Sequence, residues 1–455
     1  MKTIVEPEDY IEKLWGKQQI KETDVYRLMQ YVVRVDHDGK VLLHNVVTGQ
    51  LAELDREEVK ALEMLPTAYS PVMEQLVTEH YLVPEGFDEY KSVKQLRLIC
   101  QRRQTGTAIN HYIILPTSFC NARCFYCYES DYPRVHMTAE TADKLIDYID
   151  KHREGKNVSI NWFGGEPLVG IQRIDQISQG LKDRGIPLTA SMVSNGYLFD
   201  EEIVDRSAEL WKLQRIQITL DGTEETYNRV KAYVNVQDNP FQRVLRNIDL
   251  LSRKEIHVNI RLNVDFYNKD EIRILIEELG KRYSSNPHVT VYLNMLFNNM
   301  GFEPVSHSYD EIIILKDIID EYTDRLKELK LSSDNNMKYL HLTISQCMAD
   351  SPHSLMIQPD GSFCRCEHES TLNSYGDLEN GITNPQRLEK WKESIEPSEQ
   401  CPKCAIYPAC YQLRLCMNSD MPCIDKFQQS NLKKQKERII AMYIQKTEEN
   451  KHESI

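Results

Sequence analysis

No apolar run in this sequence approaches the ~18 residues that a membrane-spanning helix needs, and the opening MKTIVEPEDY puts acids where a signal peptide would carry its apolar core. The expectation is a cytoplasmic chain with no membrane partner. Positive charge is also in deficit. The 55 Lys and Arg stand against 69 Asp and Glu, for a net charge of −14, so a general electrostatic pull toward nucleic acid or anionic membrane is excluded. There is no internal repeat, and no low-complexity tract beyond the polar end EENKHESI.

Cysteine, by contrast, is plentiful. The 455 residues correspond to about three domains at ~150 residues each, and such a chain can bury a core without crosslinks. Twelve cysteines in a reducing compartment are therefore better read as metal ligands or catalysts than as disulfides. Three lie at Cys120, Cys124 and Cys127, and eight fall between Cys347 and Cys423. Cys100, alone in the run LRLIC, reads as a small buried apolar residue.

Residues 1–100 read as a separate α+β unit. YVVRVDHDGKVLLHNVVTG alternates on both sides of Asp38-Gly39, which predicts a β-hairpin. Asp55 with Glu58 predicts a capped helix, Ser70-Pro71 a second helix start, and residues 81–83 a short strand. From residue 111 strands alternate with helices. Candidate strands at 111–115, 158–162, 188–193, 215–220, 257–264 and 289–293 are separated by helical stretches at 138–149, 171–181, 201–211, 241–251 and 269–279. The fold class is thus α/β, a partial (β/α)6 barrel, whose chemistry belongs on loops at the carboxyl ends of the strands. A long helix at 309–329, a cysteine-rich segment of little periodicity and a helix at 426–446 complete the chain. In the last, Leu432, Ile439, Ile440, Tyr443 and Ile444 predict docking on the barrel.

The first strand is followed by TSFCNARCFYCYES, giving Cys120-x3-Cys124-x2-Cys127. A cubane cluster ordinarily takes four thiolates, so three clustered ligands leave one iron open to an exogenous ligand. As a structural zinc site the same loop lacks a nearby fourth ligand. This spacing, with Tyr126 before the third cysteine, resembles the radical S-adenosylmethionine (SAM) enzymes. Gly164-Gly165-Glu166-Pro167 after the second strand is similar to that family's GGEP loop, and the resemblance implies that it holds the SAM amino group. Ser194-Asn195-Gly196 after the third strand stands where the family contacts the SAM ribose and carboxylate, and Thr219-Leu220-Asp221-Gly222 after the fourth is similar to its SLDG segment. Asn-Gly and Asp-Gly are also common turn pairs, so a structural role for either stays open.

The C-terminal cysteines resemble the SPASM extension: Cys347, then Gly361-x4-Cys366, then Cys401-x2-Cys404-x5-Cys410, with Cys416 and Cys423 after. The step from Cys410 to Cys416 departs from the pattern, with five intervening residues in place of three. The resemblance implies an outer auxiliary cluster on Cys401, Cys404, Cys410 and Cys423, and an inner one on Cys347, Cys366 and Cys416. Cys364 is either the fourth inner ligand or leaves an open iron, and zinc knuckles are the alternative for all eight. Residues 1–100 resemble, more loosely, a small winged-helix-like, PqqD-like RiPP recognition element; a structural cap is the alternative. The layout implied is recognition domain 1–100, barrel 108–305, helical bridge 306–346, SPASM domain 347–425, and terminal helix and tail 426–455.

The whole resembles a radical SAM/SPASM peptide maturase. Implied are SAM, three [4Fe-4S] clusters, a flavodoxin or ferredoxin as electron donor, and a ribosomally made precursor peptide whose leader binds the first domain. The implied reaction joins a peptide cysteine sulfur to a residue carbon through a 5′-deoxyadenosyl radical. A carbon-carbon crosslink, anaerobic sulfatase maturation and a non-enzymatic iron-sulfur or zinc peptide scaffold are the alternatives.

Overall fold

A computed structural model describes residues 1–103, 107–236, 238–296, 307–332, 341–344, 347–390, 399–410, 423 and 425–452. The first stretch gives β1 (Lys2–Val5), β2 (Val25–Leu28), β3 (Val32–His37), β4 (Lys40–Asn45), β5 (Leu51–Glu53), β6 (Thr67–Ala68) and β7 (Leu82–Pro84). They form an antiparallel sheet in the order β1-β5-β4-β3 and a smaller one in the order β6-β2-β7. The predicted hairpin is β3–β4, and it turns through Asp38 and Gly39 at φ of 48° and 74°, the positive values that such a two-residue turn requires. Helix α1 is Asp9–Trp15, and α2, Arg56–Glu63, opens on the predicted Asp55–Glu58 capping box. Ser70-Pro71 opens a short 3₁₀ turn that runs into α3 (Glu74–Thr78). Helix α4 (Glu89–Arg103), absent from the sequence reading, buries Val93, Leu96 and Cys100.

The barrel strands are β8 (His111–Ile114), β9 (Val158–Trp162), β10 (Leu188–Ser194), β11 (Leu213–Leu220), β12 (His257–Val264) and β13 (Val289–Met295). Each pairs in parallel with the next. The helices between them are α5 (Ala139–His152), α6 (Ile171–Asp183), α7 (Glu201–Glu209), α8 (Glu224–Lys231), α9 (Pro240–Arg253) and α10 (Lys269–Tyr283). Alternate strand residues such as Ile160, Trp162, Ile218 and Ile260 are wholly buried beneath these helices; each such side chain stabilises the fold by about 1.5–3 kcal/mol.

The sheet continues past β8. After α11 (Tyr309–Glu328), strand β14 (Ser354–Ile357) pairs in parallel with β8, and β15 (Ser362–Cys364), β16 (Gly376–Asp377) and β17 (Gly381–Ile382) follow antiparallel, with α12 (Pro385–Lys390) beyond them. The cysteine-rich segment therefore begins as an extension of the barrel sheet, a pairing too distant in sequence for periodicity to reveal.

The C-terminal helix corrects an expectation. Helix α13 (Asp425–His452) buries Ile439 and Tyr443 against Ile4, Val33, Val35 and Leu42 of the first sheet, not against the barrel. The Tyr443 hydroxyl donates to Glu53 at 2.7 Å and accepts from Lys40 at 2.7 Å. Toward the barrel side it reaches α11 through Lys434 and Asp320, 2.5 Å apart. The heptad-like apolar residues found a different sheet because that sheet offers an uncovered apolar face. Among the described residues no helix is long and apolar enough to cross a membrane.

Candidate active site

The loops at the carboxyl ends of β8, β9, β10 and β11 meet. The cysteine loop, residues 116–128, is laid down first, and the Gly164–Pro167 loop packs on its backbone. The Glu166 N–H donates to the Phe119 carbonyl at 2.9 Å and the Gly165 N–H to the Thr117 carbonyl at 3.3 Å. Both glycines are required for this approach: a Cβ on Gly164 would lie 2.3 Å from the Thr117 oxygen, and one on Gly165 2.5 Å from that of Phe119. Gly164 also sits at φ +120°, which side-chain-bearing residues rarely adopt. Pro167 begins the short buried turn that follows.

Glu166 is fully buried and locks the third loop to the second. Its carboxylate accepts from the Ser194 hydroxyl at 2.9 Å, the Asn195 N–H at 2.8 Å and the Leu168 N–H at 3.2 Å. Burial pushes its pKa up to about 7 against those donors. The Asn195 side chain in turn donates to Asn121 at 2.7 Å, beside Cys120. Predicted residues from three loops are thus one hydrogen-bonded unit.

Asp221 anchors a second network. Its buried carboxylate accepts from the Tyr126 hydroxyl at 2.9 Å to each oxygen, from Asn263 at 3.0 Å, and pairs with the buried Lys231 ammonium at 3.0 Å. Asn268 donates to the Asp221 backbone carbonyl at 2.7 Å. A charge pair so buried holds only where its remaining lone pairs are satisfied, and here they are. Tyr126, between Cys124 and Cys127, is therefore fixed from beneath by β11 and β12.

The three thiols are close enough to influence one another. Burial pushes Cys120 up to about 12 and Cys127 up to about 11; it raises Cys124 too, against the nearby Lys231. A metal here must displace protons from sulfur. Among the described residues no three His, Cys, Asp or Glu side chains converge on the single point that one ion needs. A four-iron cluster binds each thiolate at a separate iron, and three thiols on one loop, near enough to act on one another, are a donor set that fits that group.

Sequence reasoning missed Asn121, Glu129, Lys231, Asn263 and Asn268. Glu129 is 4% exposed, burial pushes its pKa up to about 7, and one of its oxygens has no hydrogen-bond partner. Lys231 ends an ordinary-looking charged helix, so nothing local marks it as buried. Asn263 did carry a signal: in HVNIRLNV the alternate residues Asn259, Arg261 and Asn263 are polar.

The C-terminal cysteines are placed in separate surroundings. Cys366 packs with Cys347 and Ala349. Cys364, at the end of β15, instead packs with Ile113, Leu115 and Met356, and its sulfur lies 3.4 Å from the Ser370 carbonyl. Cys401 and Cys404 lie against the core of the first hundred residues. Cys401 and Cys423 both act electrostatically on Cys404, whose pKa burial raises. Cys410 is half-buried, and Cys416 lies outside the described residues.

A parallel strand-and-helix sheet with a three-cysteine loop at its carboxyl edge defines the class. Residues 114–279 match the Radical SAM superfamily, and the chain carries a radical SAM domain and is an enzyme whose cofactors are SAM and a [4Fe-4S] cluster. It is 21% identical over 450 residues to the radical SAM cyclopropyl synthase TigE of Paramaledivibacter caminithermalis, an alignment covering 85% of this chain and 89% of that one. It is 24% identical over 343 residues to the cysteine-type anaerobic sulfatase-maturating enzyme of Clostridium novyi, covering 65% and 84%. The structure of native anSMEcpe with bound AdoMet and Cp18Cys peptide superposes with a TM-score of 0.56 at 18% identity, over 74% of this chain and 98% of that one. That likeness shows the shared fold.

Proposed function

We propose that the chain matures a ribosomally made precursor peptide, joining a cysteine sulfur to a residue carbon as a thioether. The observation that carries this reading is the continuity of one sheet from the cysteine loop after β8 to the cysteine-rich segment beginning at β14. That continuity supports a reading in which residues suited to a second redox site belong to the same sheet as the initiating site. The names of the relatives add weight: one solved neighbour holds a peptide, and the Clostridium novyi relative is named for maturing a sulfatase.

In this reading Cys120, Cys124 and Cys127 hold the first cluster. The Gly164–Pro167 loop braced by Glu166 receives the ammonium end of SAM, and Ser194, Asn195 and Asp221 with Tyr126 complete that cradle. When bound, the cluster and SAM supply a 5′-deoxyadenosyl radical able to take hydrogen from an unactivated carbon. Two auxiliary clusters, when bound, would supply an acceptor for the second electron. Cys401, Cys404, Cys410 and Cys423 hold the outer one, and Cys347, Cys366 and Cys416 the inner. Cys364, which packs with Ile113, Leu115 and Met356, is either the fourth ligand of the inner cluster or leaves that cluster an open iron. Residues 1–100 form the leader-recognition domain, 108–305 the barrel, 306–346 the bridge, 347–425 the SPASM domain and 426–455 the terminal helix and tail. In the first of these, β3 is a sheet edge that pairs only with β4 among the described strands, which suits addition of a peptide strand. A flavodoxin or ferredoxin is the electron donor.

Sulfatase-type oxidation of one residue is the second reading, favoured by the Clostridium novyi relative; it gives no role to residues 1–100. A carbon-carbon crosslink has the same redox balance as a thioether. Anaerobic reconstitution should give about 12 irons per chain. Reaction with the precursor encoded beside the gene should then lower the peptide mass by about 2 units per crosslink, with the cysteine no longer alkylatable. The same loss with every cysteine still alkylatable would instead make the bond carbon-carbon.

A further inference from the structure

The inside of the barrel is polar along most of its wall. The registers Asn161–Ser191, Gln217–Asn259 and Arg261–Tyr292 set these six side chains on the face opposite the helices, because the intervening Ile160, Met192, Ile216 and Ile260 are in the helix-side core. A closed β/α barrel fills this space with branched apolar layers. Here the Ser191 hydroxyl donates to the Asn161 carbonyl at 3.1 Å, Tyr292 to the Gln217 carbonyl at 2.6 Å, and Thr290 to that of Asn259 at 2.7 Å. The amide N–H groups of Asn161 and Gln217 donate to no described residue.

One guanidinium stands among these carboxamides. Arg261 donates to Asn263 on its own strand at 2.9 Å, and among the described residues no carboxylate forms an ion pair with it. Lys231, the buried cation at the strand ends, is already paired with Asp221. At the rim, Asn263, which accepts from Arg261, itself donates to Asp221 at 3.0 Å, and Asp221 accepts from Tyr126 of the cysteine loop at 2.9 Å. The cation, without a carboxylate partner among the described residues, therefore stands on the lumen face beside the Asp221–Tyr126 contact that underlies the cysteine loop. A guanidinium drawn partly out of water regains most in a bidentate carboxylate pair.

We propose that the lumen takes an extended acidic segment of the substrate peptide, with Arg261 pairing to a carboxylate near the reacting residue and the free amides of Asn161 and Gln217 meeting backbone carbonyls. The inference rests on the peptide-maturase reading and names what that site selects. The carboxylate belongs either to an Asp or Glu side chain or to the peptide's own C-terminus.

Reconstituted, SAM-loaded protein separates these cases by fluorescence anisotropy with labelled heptapeptides Gly-Ser-Cys-X-Gly-Ser-Ala: amidated with X as Glu, amidated with X as Gln, and the Gln peptide as a free acid. The Glu amide or the Gln free acid should bind about 10-fold more tightly than the amidated Gln peptide, and the winner identifies the source of the carboxylate. Arg261→Gln should erase the preference and Arg261→Lys retain part of it, with SAM affinity by equilibrium dialysis unchanged in both. Equal binding of all three peptides, or a preference that survives Arg261→Gln, would overturn the assignment. So would loss of SAM affinity in Arg261→Gln, which would give the guanidinium to the SAM carboxylate. Absence of any peptide binding would overturn the lumen as a peptide site, while the mass change of the true precursor judges the maturase reading separately.

Discussion

Cys120, Cys124 and Cys127 stand on a loop gripped from two sides, by the glycine loop packed on its backbone and by the Asp221–Lys231 pair beneath Tyr126. The C-terminal cysteines are shared out instead: Cys364 in one packing group, Cys347 with Cys366 in another, Cys401 with Cys404 against the first domain. The difference teaches where the shape comes from. At the first site ordinary packing and hydrogen bonds pre-form the loop, so metal arrives at a made place. In the second region, on the proposal that these cysteines hold clusters, metal binding would contribute to folding the chain between them.

The largest effect expected from breaking this contrast is at Lys231. Lys231→Met leaves the Asp221 carboxylate buried without its cation, a loss of about 3–5 kcal/mol, read by denaturant unfolding. Adding Asp221→Asn should recover much of it. An unchanged midpoint in the single variant would show that the network does not hold the first site.

Arg97 probes the second region. From α4 it donates to the carbonyls of Tyr407 at 3.2 Å and Pro408 at 2.9 Å, and its guanidinium lies 4.9 Å from the Tyr407 ring. Arg97→Met should cost about 1.5–3 kcal/mol in all, because loss of the guanidinium leaves both carbonyls free to turn to water at this domain edge. Iron analysis should show loss from the Cys401–Cys404 region while SAM cleavage persists. Loss of both together would erase the distinction between the regions.

Gly165→Ala is the mirror experiment. Its Cβ would meet the Phe119 carbonyl at 2.5 Å, and overpacking of this kind costs about 1–3 kcal/mol. SAM affinity and about four irons should be lost, with the remaining iron retained.

The smallest effect concerns the sheet under α13. His44 on β4 is fully buried, and burial pushes its pKa down to about 3, with His341 adding to this and the Gly49 backbone opposing. The unfolded chain takes up this proton below its ordinary value near 6.5 and the folded chain does not. Stability should therefore fall as pH drops below that value, by up to about 1.4 kcal/mol per pH unit. His44→Leu should flatten the slope of unfolding free energy by that amount. An unaltered slope would mean that the sheet opens to admit the charge.

The barrel was legible because each strand is a short alternating run closed by a turn signal: 158–162 and 257–264 match β9 and β12 residue for residue, and the others agree within two residues. The Asp38-Gly39 hairpin and the Asp55 cap were equally readable, since both are chemistry of adjacent residues. What stayed hidden is non-local. Lys231 gives no sign of burial in its own helix, α13 could not announce which apolar face it would find, and β1, β2 and β5 are too short to show a period. The polar wall of the lumen was written in the alternation of HVNIRLNV, but only the register of β11, β12 and β13 turns it into a surface.

The parallel pairing of β14 with β8 also sets an order of assembly. The ribosome finishes every other barrel strand before β14 exists, so throughout that interval β8 presents an open edge of unsatisfied backbone groups, a template for wrong partners. Production of this protein should therefore depend on how the nascent chain is shielded: slow translation before residue 354, or a fusion that truncates the chain ahead of it, would send the product into inclusion bodies even though every residue of the radical SAM domain had been made.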